Sequence, residues 1–302
     1  MGLLNLAAKA PLSYRQLPFA HFSISDCYRH EQSGEMMLLM RQRRFFMPDI
    51  HPYFKDITEA FAWFPKLQEK IVSAAKEAGR NYQVVIEVPS EKIWQEYRAY
   101  IEQIPKQLGA DLLVNIIEDG QDRYWVVNVD YKIIDKLGQA REIGCIQVDI
   151  GNAPRLGINY VDKDGKQKHP VIIHSAIPGG IERFLYILFD QIEEKGLPLW
   201  ISPVQIRLLP VGENFNEVCQ KVVERFADLP LRVEVDDRSV MLGAKLKQAH
   251  EDLVPHRVVV GQKEIDDGFA QLEKLIRELV SQVESKPFIK REWPVLLSRQ
   301  LN

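Results

Sequence analysis

Residues 28–51 bring Arg29, Glu31, Arg41, Phe45, Asp49 and His51 into one hairpin-sized stretch. Two of its arginines, Arg29 and Arg41, are twelve residues apart, on either side of a turn at Ser33-Gly34. That spacing suits a clamp on a phosphate ester, because a guanidinium stays charged and its planar fork donates two hydrogen bonds together. Phe45 stands between Arg41 and the Asp49-x-His51 pair, where an aromatic face can stack on a purine. A second cluster lies far downstream, with His169, His174, Gly179-Gly180 and Arg183 inside sixteen residues. Types and spacing together describe a nucleotide site.

Such side chains need rigid elements to hold them. Ala20, Phe22 and Ile24 alternate ahead of the Ser33-Gly34 turn, so the first fifty residues read as strand, turn, strand. Residues 56–79 follow a helical period through Ile57, Phe61, Phe64, Leu67, Ile71 and Ala75 and stop at Gly79, with Pro65 expected to kink or divide the helix. Residues 82–88 form a short apolar strand, and 90–104 a helix ending before Pro105. Three strands follow in meander order at 123–135, 141–150 and 157–161, then a strand at 171–173 and a helix at 181–194. This pattern predicts an α+β domain: an antiparallel sheet with helices against it.

The order changes after residues 196–200. Strands at 204–209, 231–235 and 257–260 alternate with helices at 214–226, 240–250 and 269–283, which predicts a small α/β domain with a parallel sheet. The boundary therefore falls near Pro198–Pro203, giving domains at 1–198 and 199–302. The last eighteen residues, with Pro287 and Pro294 bracketing their start, read as a tail.

Composition sets limits. The 302 residues are 46% hydrophobic and 27% charged, as in a soluble globular protein with room for two cores. No apolar run approaches the ~20 residues that span a bilayer, and no signal peptide is apparent. Cys27, Cys145 and Cys219 are isolated, which fits a reducing cytosol and a cytoplasmic protein. The net charge of −3 does not advertise nucleic-acid binding, and from residue 200 onward fifteen basic residues face sixteen acidic ones. Affinity for phosphate depends on how charge is distributed, so a local basic patch remains open.

The stretch Tyr28–His51 resembles motif 2 of the class II aminoacyl-tRNA synthetases, most closely that of the threonyl-tRNA synthetase family in its archaeal form. The run His169-Pro-Val-Ile-Ile-His174-Ser-Ala-Ile-Pro-Gly-Gly-Ile-Glu-Arg183-Phe184 is similar to motif 3. The resemblance extends from residue 1 to about residue 268. It implies that Arg29 binds the α-phosphate of ATP and the amino-acid carboxylate, and that Arg183 and Arg41 sit on the γ-phosphate. It also implies that Phe45 stacks on adenine and Glu31 meets the adenine edge. A lone arginine is ordinarily a surface or salt-bridged residue, and a lone phenylalanine in a sheet is ordinarily packed. Both motifs, in order, are what raise these residues above that.

For the amino acid, the resemblance implies contacts from Asp49 and Gln147 and a zinc ion on His51 and His174 that takes the threonine amino and hydroxyl groups. The family's third zinc ligand, a cysteine, would align just before Met1, and motif 1, which builds the family's homodimer interface, would lie upstream as well. Zinc is thus an open expectation, as is the homodimer, while ATP and Mg²⁺ follow from the reaction type. The C-terminal part resembles the family's anticodon-binding domain through Trp200-Ile-Ser-Pro-Val-Gln205, Val235-Asp-Asp-Arg238, Gly243-Ala-Lys-Leu-Lys247 and Val259-Val-Gly-Gln-Lys263-Glu264. Arg238, Lys245, Lys247 and Lys263 are its candidate tRNA contacts.

The expected function is threonine–tRNA ligation: threonine is activated by ATP and transferred to the 3′ end of tRNA(Thr). The alternative is a truncated, non-catalytic synthetase paralogue or fragment that binds ATP or tRNA.

Overall fold

The computed structural model describes residues 2–290 and 293–300. It divides into two compact units between Gln191 and Ile192.

The first unit opens with helix α1 (Gly2–Lys9) and a two-residue strand β1 (Leu12–Ser13). The hairpin that carries the first arginines follows as β2 (Phe19–Tyr28) and β3 (Arg44–Phe54), paired without a break from Phe19↔Tyr53 to Tyr28↔Arg44. The strand is where the alternation placed it. Its apolar members nevertheless point outward, with Phe22 62% and Ile24 61% exposed. The inward positions are His21, Ser23, Ser25 and Cys27, in register with His51, Asp49, Met47 and Phe45, so this face is built for a polar cleft and not for packing.

Helix α2 (Ile57–Glu77) is capped by Asp56, whose carboxylate accepts from the Glu59 amide at 2.8 Å. Pro65 lies inside this one helix and does not divide it. Phe61, Phe64, Ile71 and Ala75 turn into the core. Strand β4 (Gln83–Val88), helices α3 (Glu91–Ile101) and α4 (Gln103–Leu108), and strands β5 (Leu113–Ile116), β6 (Trp125–Ile134) and β7 (Ala140–Asp149) come next. After α5 (Asn152–Leu156) the chain forms β8 (Tyr160–Val161), β9 (Gln167–Lys168), β10 (Val171–Ala176) and α6 (Ile181–Phe189).

Seven strands make one sheet in the order β2-β3-β10-β7-β6-β4-β5, antiparallel throughout except for the β4–β5 pair. The meander therefore stops after two strands. Residues 160–161 leave the large sheet and pair parallel with β1 in a separate three-stranded sheet, β1-β8-β9. Val127, Val129, Tyr131, Ile146 and Val148 on one face meet Phe61, Phe64 and Ile71 of α2 and Ile101 of α3 in the main core. The other face bears the cleft.

The second unit contains α7 (Ile192–Lys195), β11 (Ile206–Pro210), α8 (Asn216–Arg225), β12 (Val233–Val235), α9 (Leu242–Glu251), β13 (His256–Val260), α10 (Gln262–Asp266) and α11 (Ala270–Val283). The helix expected over 181–194 thus ends at Phe189, and 192–195 form a separate turn of helix. The strands are parallel in the order β12-β11-β13. Ile206, Leu208, Val233 and Val235 are buried with Val222, Val223, Leu272, Ile276 and Leu279 from α8 and α11. The tail is ordered where it is described. Val235 donates to the Val295 carbonyl at 3.0 Å, Leu297 is buried, and Ser298 hydrogen-bonds Asp237 through both its amide and its hydroxyl. Residues 291, 292, 301 and 302 of the expected tail lie outside the described residues.

Candidate active site

A cleft of about 1060 Å³ opens on the polar face of the large sheet. It gathers Arg29, Glu31, Arg41, Phe45, Asp49, Gln147, His174 and Arg183 around one space, from segments up to 154 positions apart in the chain. His51 does not line it, but stands directly behind His174, with ring centroids 4.7 Å apart and planes at 89°. Neighbouring strands bring these residues together: β3 supplies Phe45 and Asp49, β10 supplies His174, and β7 supplies Gln147, whose Cα pairs with that of His174.

At one end of the cleft the guanidinium groups dominate. The Arg29 guanidinium carbon lies 5.0 Å from the centroid of Phe45, a cation–π distance that leaves its N–H edge for an anion. Arg41 donates from Nε to Glu31 at 2.8 Å and from Nη2 to Glu35 at 3.2 Å. The two residues expected to divide phosphate and adenine between them therefore pair with each other here. Arg43 donates to the Glu31 carbonyl at 3.0 Å and Arg44 forks onto Asp26 at 3.0 Å, so both brace the hairpin. Arg183, in the first turn of α6, donates from Nε to the Met40 carbonyl at 3.2 Å and from Nη1 to the Glu142 carbonyl at 3.0 Å. Its neighbour Glu182 accepts the Phe46 amide on both oxygens, at 3.0 and 3.1 Å, and so ties the helix that carries Arg183 to the strand that carries Phe45.

Close backbone packing sets the depth of α6. A side-chain carbon on Gly179 would lie 2.3 Å from the Ile143 carbonyl oxygen, at φ +127°, so only glycine lets the loop before α6 approach β7.

The other end is built to hold a small polar molecule. Tyr124 donates to Gln147 Oε1 at 2.6 Å, and its ring meets His174 edge-on at 5.4 Å. Asp149, wholly buried at the end of β7, accepts from His174 Nε2 at 2.6 Å. Burial raises the Asp49 carboxyl above its ordinary value, against the opposing pull of His174. Burial also drives His51 down to about 4, assisted by His174, so His51 is neutral at physiological pH. The Cys145 thiol, also on the cleft wall, is pushed up by burial and stays protonated.

A protein zinc site needs at least three side-chain ligands. His51 and His174 offer two imidazoles, and among the described residues no three His, Cys, Asp or Glu side chains converge as a metal site. The pair by itself does not fit zinc.

The four candidate RNA contacts fare unequally. Lys247 and Lys263 are exposed, and Arg238 is half-buried with its fork on Asp236 at 2.7 Å. Lys245 corrects the expectation: it is 3% exposed, and its ammonium donates to the carbonyls of Pro210 at 3.0 Å and Asp236 at 2.8 Å. It fastens α9 to the end of β11 and is not presented to a ligand. Tyr124, Glu142, Asp149 and Glu182 had no assigned role in the sequence reading. Asp149 alone had a signal, since it lies two residues after Gln147 and so on the same strand face.

A sequence profile of the tRNA synthetase class II core domain (G, H, P, S and T) matches residues 2–192, and one of the anticodon binding domain matches residues 205–286. With motifs 2 and 3 arrayed around one cleft, the chain belongs to the class II tRNA synthetase family. The relatives narrow the likeness to one amino acid. The chain is 43% identical over 263 residues to a threonine–tRNA ligase of Nanoarchaeum equitans, which covers 86% of this chain and 41% of that protein. It is 39% identical over 308 residues to a threonine–tRNA ligase of Pyrobaculum islandicum, covering 96% and 50%. The chain spans about half the length of the curated relatives it matches. Among solved structures, the RNA binding domain of threonyl-tRNA synthetase from Cryptosporidium parvum superposes with a TM-score of 0.78 at 23% identity, over 93% of this chain and 74% of that one. No helix among the described residues is long and apolar enough to cross a membrane.

Proposed function

We propose that the cleft is the adenylate-forming site of a threonine–tRNA ligase. The observation that carries the reading is the convergence of Arg29, Phe45 and Arg183 at one end of the cleft with Asp49, Gln147 and His174 at the other. In the proposed reaction the threonine carboxylate attacks the α-phosphorus of ATP and pyrophosphate leaves. The threonyl group then passes to the 3′ end of tRNA(Thr). No protein nucleophile is required, so catalysis rests on positioning and on fixed positive charge. Arg29 takes the α-phosphate and the substrate carboxylate, stacked on Phe45, while the adenine occupies the rest of that aromatic neighbourhood. Arg183 takes the departing phosphates from the opposite wall, and Arg41 joins it by exchanging its Glu31 and Glu35 partners for phosphate oxygens. Mg²⁺, when bound, neutralises charge on those phosphates.

Asp49 holds the substrate ammonium, and the Tyr124–Gln147 pair and His174 form the wall beside the side chain. A zinc ion on His51 and His174 would need a further ligand from outside the described residues, and none of these steps uses one. Arg238, Lys247 and Lys263 are proposed to contact tRNA through phosphate or base edges. On family grounds the working form is a homodimer in the cytoplasm, in keeping with three free thiols.

The test is amino-acid-dependent ATP–pyrophosphate exchange with threonine, serine and valine, each with and without added zinc. Exchange selective for threonine supports the reading. No exchange from folded protein would overturn it in favour of a module that binds ATP or tRNA without charging it.

A further inference from the structure

His174 is held by more than its own strand. Asp149 receives four donors on its two oxygens: the amides of Gly151 and Asn152 at 2.8 Å each on Oδ1, with Asn152 Nδ2 at 2.8 Å and His174 Nε2 at 2.6 Å on Oδ2. A carboxylate so surrounded is an acceptor only. The imidazole hydrogen must therefore sit on Nε2, which leaves Nδ1 bare. Two rings set against His174, His51 at 4.7 Å and Tyr124 at 5.4 Å, limit its rotation. The turn that presents Asp149 is itself fixed. The Gly151 amide also donates to the Tyr124 carbonyl at 2.9 Å, and a side-chain carbon on Gly151 would come within 2.8 Å of Tyr124 Cα.

We propose that Asp149 is a positioning residue. By accepting from Nε2 it holds His174 in the tautomer whose bare Nδ1 faces the cleft, as a hydrogen-bond acceptor for the ammonium or hydroxyl of the amino-acid substrate. The proposal rests on the reading of the cleft as an amino-acid-activating site. It adds what that reading lacks, a reason for His174 to accept and not donate. The competing role for Asp149 is structural, as the cap of the turn at 149–152, and the two roles separate by experiment.

In Asp149→Asn, Oδ1 keeps the Gly151 and Asn152 amides, so the new NH₂ group faces His174 Nε2. A donor there inverts the tautomer and puts a hydrogen on Nδ1. The full chain labelled with ¹⁵N-histidine reports the tautomer directly, with the His174 signals identified by their loss in His174→Gln. Wild type should show the Nε2–H form and Asp149→Asn the Nδ1–H form. In ATP–pyrophosphate exchange the same variant should raise KM for threonine roughly 10–100-fold, with KM for ATP changed less than about twofold. Asn152→Ala is the control, since it removes a donor of the turn without touching His174. It should lower thermal stability and leave both tautomer and threonine KM as in wild type.

An unchanged tautomer in Asp149→Asn would overturn the proposal, as would an inverted tautomer with unchanged threonine KM. Asn152→Ala reproducing the KM effect would overturn it too, by showing that the turn alone matters. If wild type lacks exchange altogether, the proposed function fails, while the tautomer measurement still decides whether Asp149 positions His174. If Asp149→Asn fails to fold, Asp149→Glu keeps an acceptor in reach of Nε2. It should then retain the Nε2–H form, and an Nδ1–H form in that variant counts against the proposal.

Discussion

Replacing Arg183 tests the electrostatic core of the proposed reaction. Its guanidinium is oriented by the Met40 carbonyl at 3.2 Å and by Glu142, through the carbonyl at 3.0 Å and the carboxylate at 3.3 Å. These contacts occupy Nε and Nη1; among the described residues Nη2 has no hydrogen-bond partner, and it is free to meet a phosphate oxygen. Removing one preorganised donor of this kind costs about 3–4 kcal/mol of transition-state stabilisation. At 1.36 kcal/mol per decade, Arg183→Ala should lose roughly 150–900-fold in kcat/KM for ATP. Arg183→Lys restores charge without the fork and cannot reach both carbonyls and a phosphate, so it should stay at least about tenfold below wild type. Exchange kinetics at saturating threonine, with ATP titrated, measure both variants. A thermal melt guards against a trivial result, since two freed carbonyls cost about 1 kcal/mol each and lower Tm by only a few degrees. If folded Arg183→Ala turns over within threefold of wild type, the assignment of Arg183 to the phosphates is wrong.

Other outcomes follow from the same geometry. His51 is driven to about 4 by burial, against an ordinary 6.5, so the unfolded chain binds the extra proton first as pH falls. Stability should drop by up to about 3 kcal/mol as pH falls from 6.5 to 4, and chemical denaturation of His51→Gln should show a flatter profile over that window. Lys245→Met leaves the Pro210 and Asp236 carbonyls without their donor and should destabilise the second unit by about 1–3 kcal/mol. Lys247→Ala and Lys263→Ala should leave stability within about 0.5 kcal/mol but weaken binding to tRNA(Thr), measured by salt-dependent titration. Gly179→Ala forces a carbon to 2.3 Å from the Ile143 oxygen at positive φ, and should cost about 3 kcal/mol or more in a urea melt. A loss below 1 kcal/mol would mean that the loop ahead of α6 is freer than its packing indicates.

Local features were legible in the sequence. The hairpin of β2 and β3 shows in its alternation and its turn, and the arginines at 29 and 183 show through the order of their motifs. Pairing between distant segments was not legible. Nothing in residues 171–176 says that they separate β3 from β7, because each of these strands has an apolar face that could pair with several others. The direction of β2 was equally hidden. Its apolar residues mark a strand, but which face is wet depends on Asp49 and His51 on the neighbouring strand. Lys245 misled because its spacing with Lys247 reads as a solvated helix face. Its burial comes from two backbone carbonyls that only the folded β11–α9 contact brings near. Asp149 went unassigned because its partner His174 lies twenty-five residues on, in another strand.

The order β2-β3-β10-β7 has a consequence for the chain as it leaves the ribosome. The hairpin bearing Arg29 and Phe45 is made first, yet its neighbour in the sheet, β10, is more than a hundred residues away. Strands β4 to β7 can pair among themselves while the hairpin still has one open edge. Only when residues 171–176 have emerged can that edge close, and α6 with Arg183 comes out immediately behind. The phosphate end and the amino-acid end of the cleft are therefore completed in a single late event. A nascent chain halted before residue 171 should expose the hairpin edge to other strands, and one released after residue 189 should hide it.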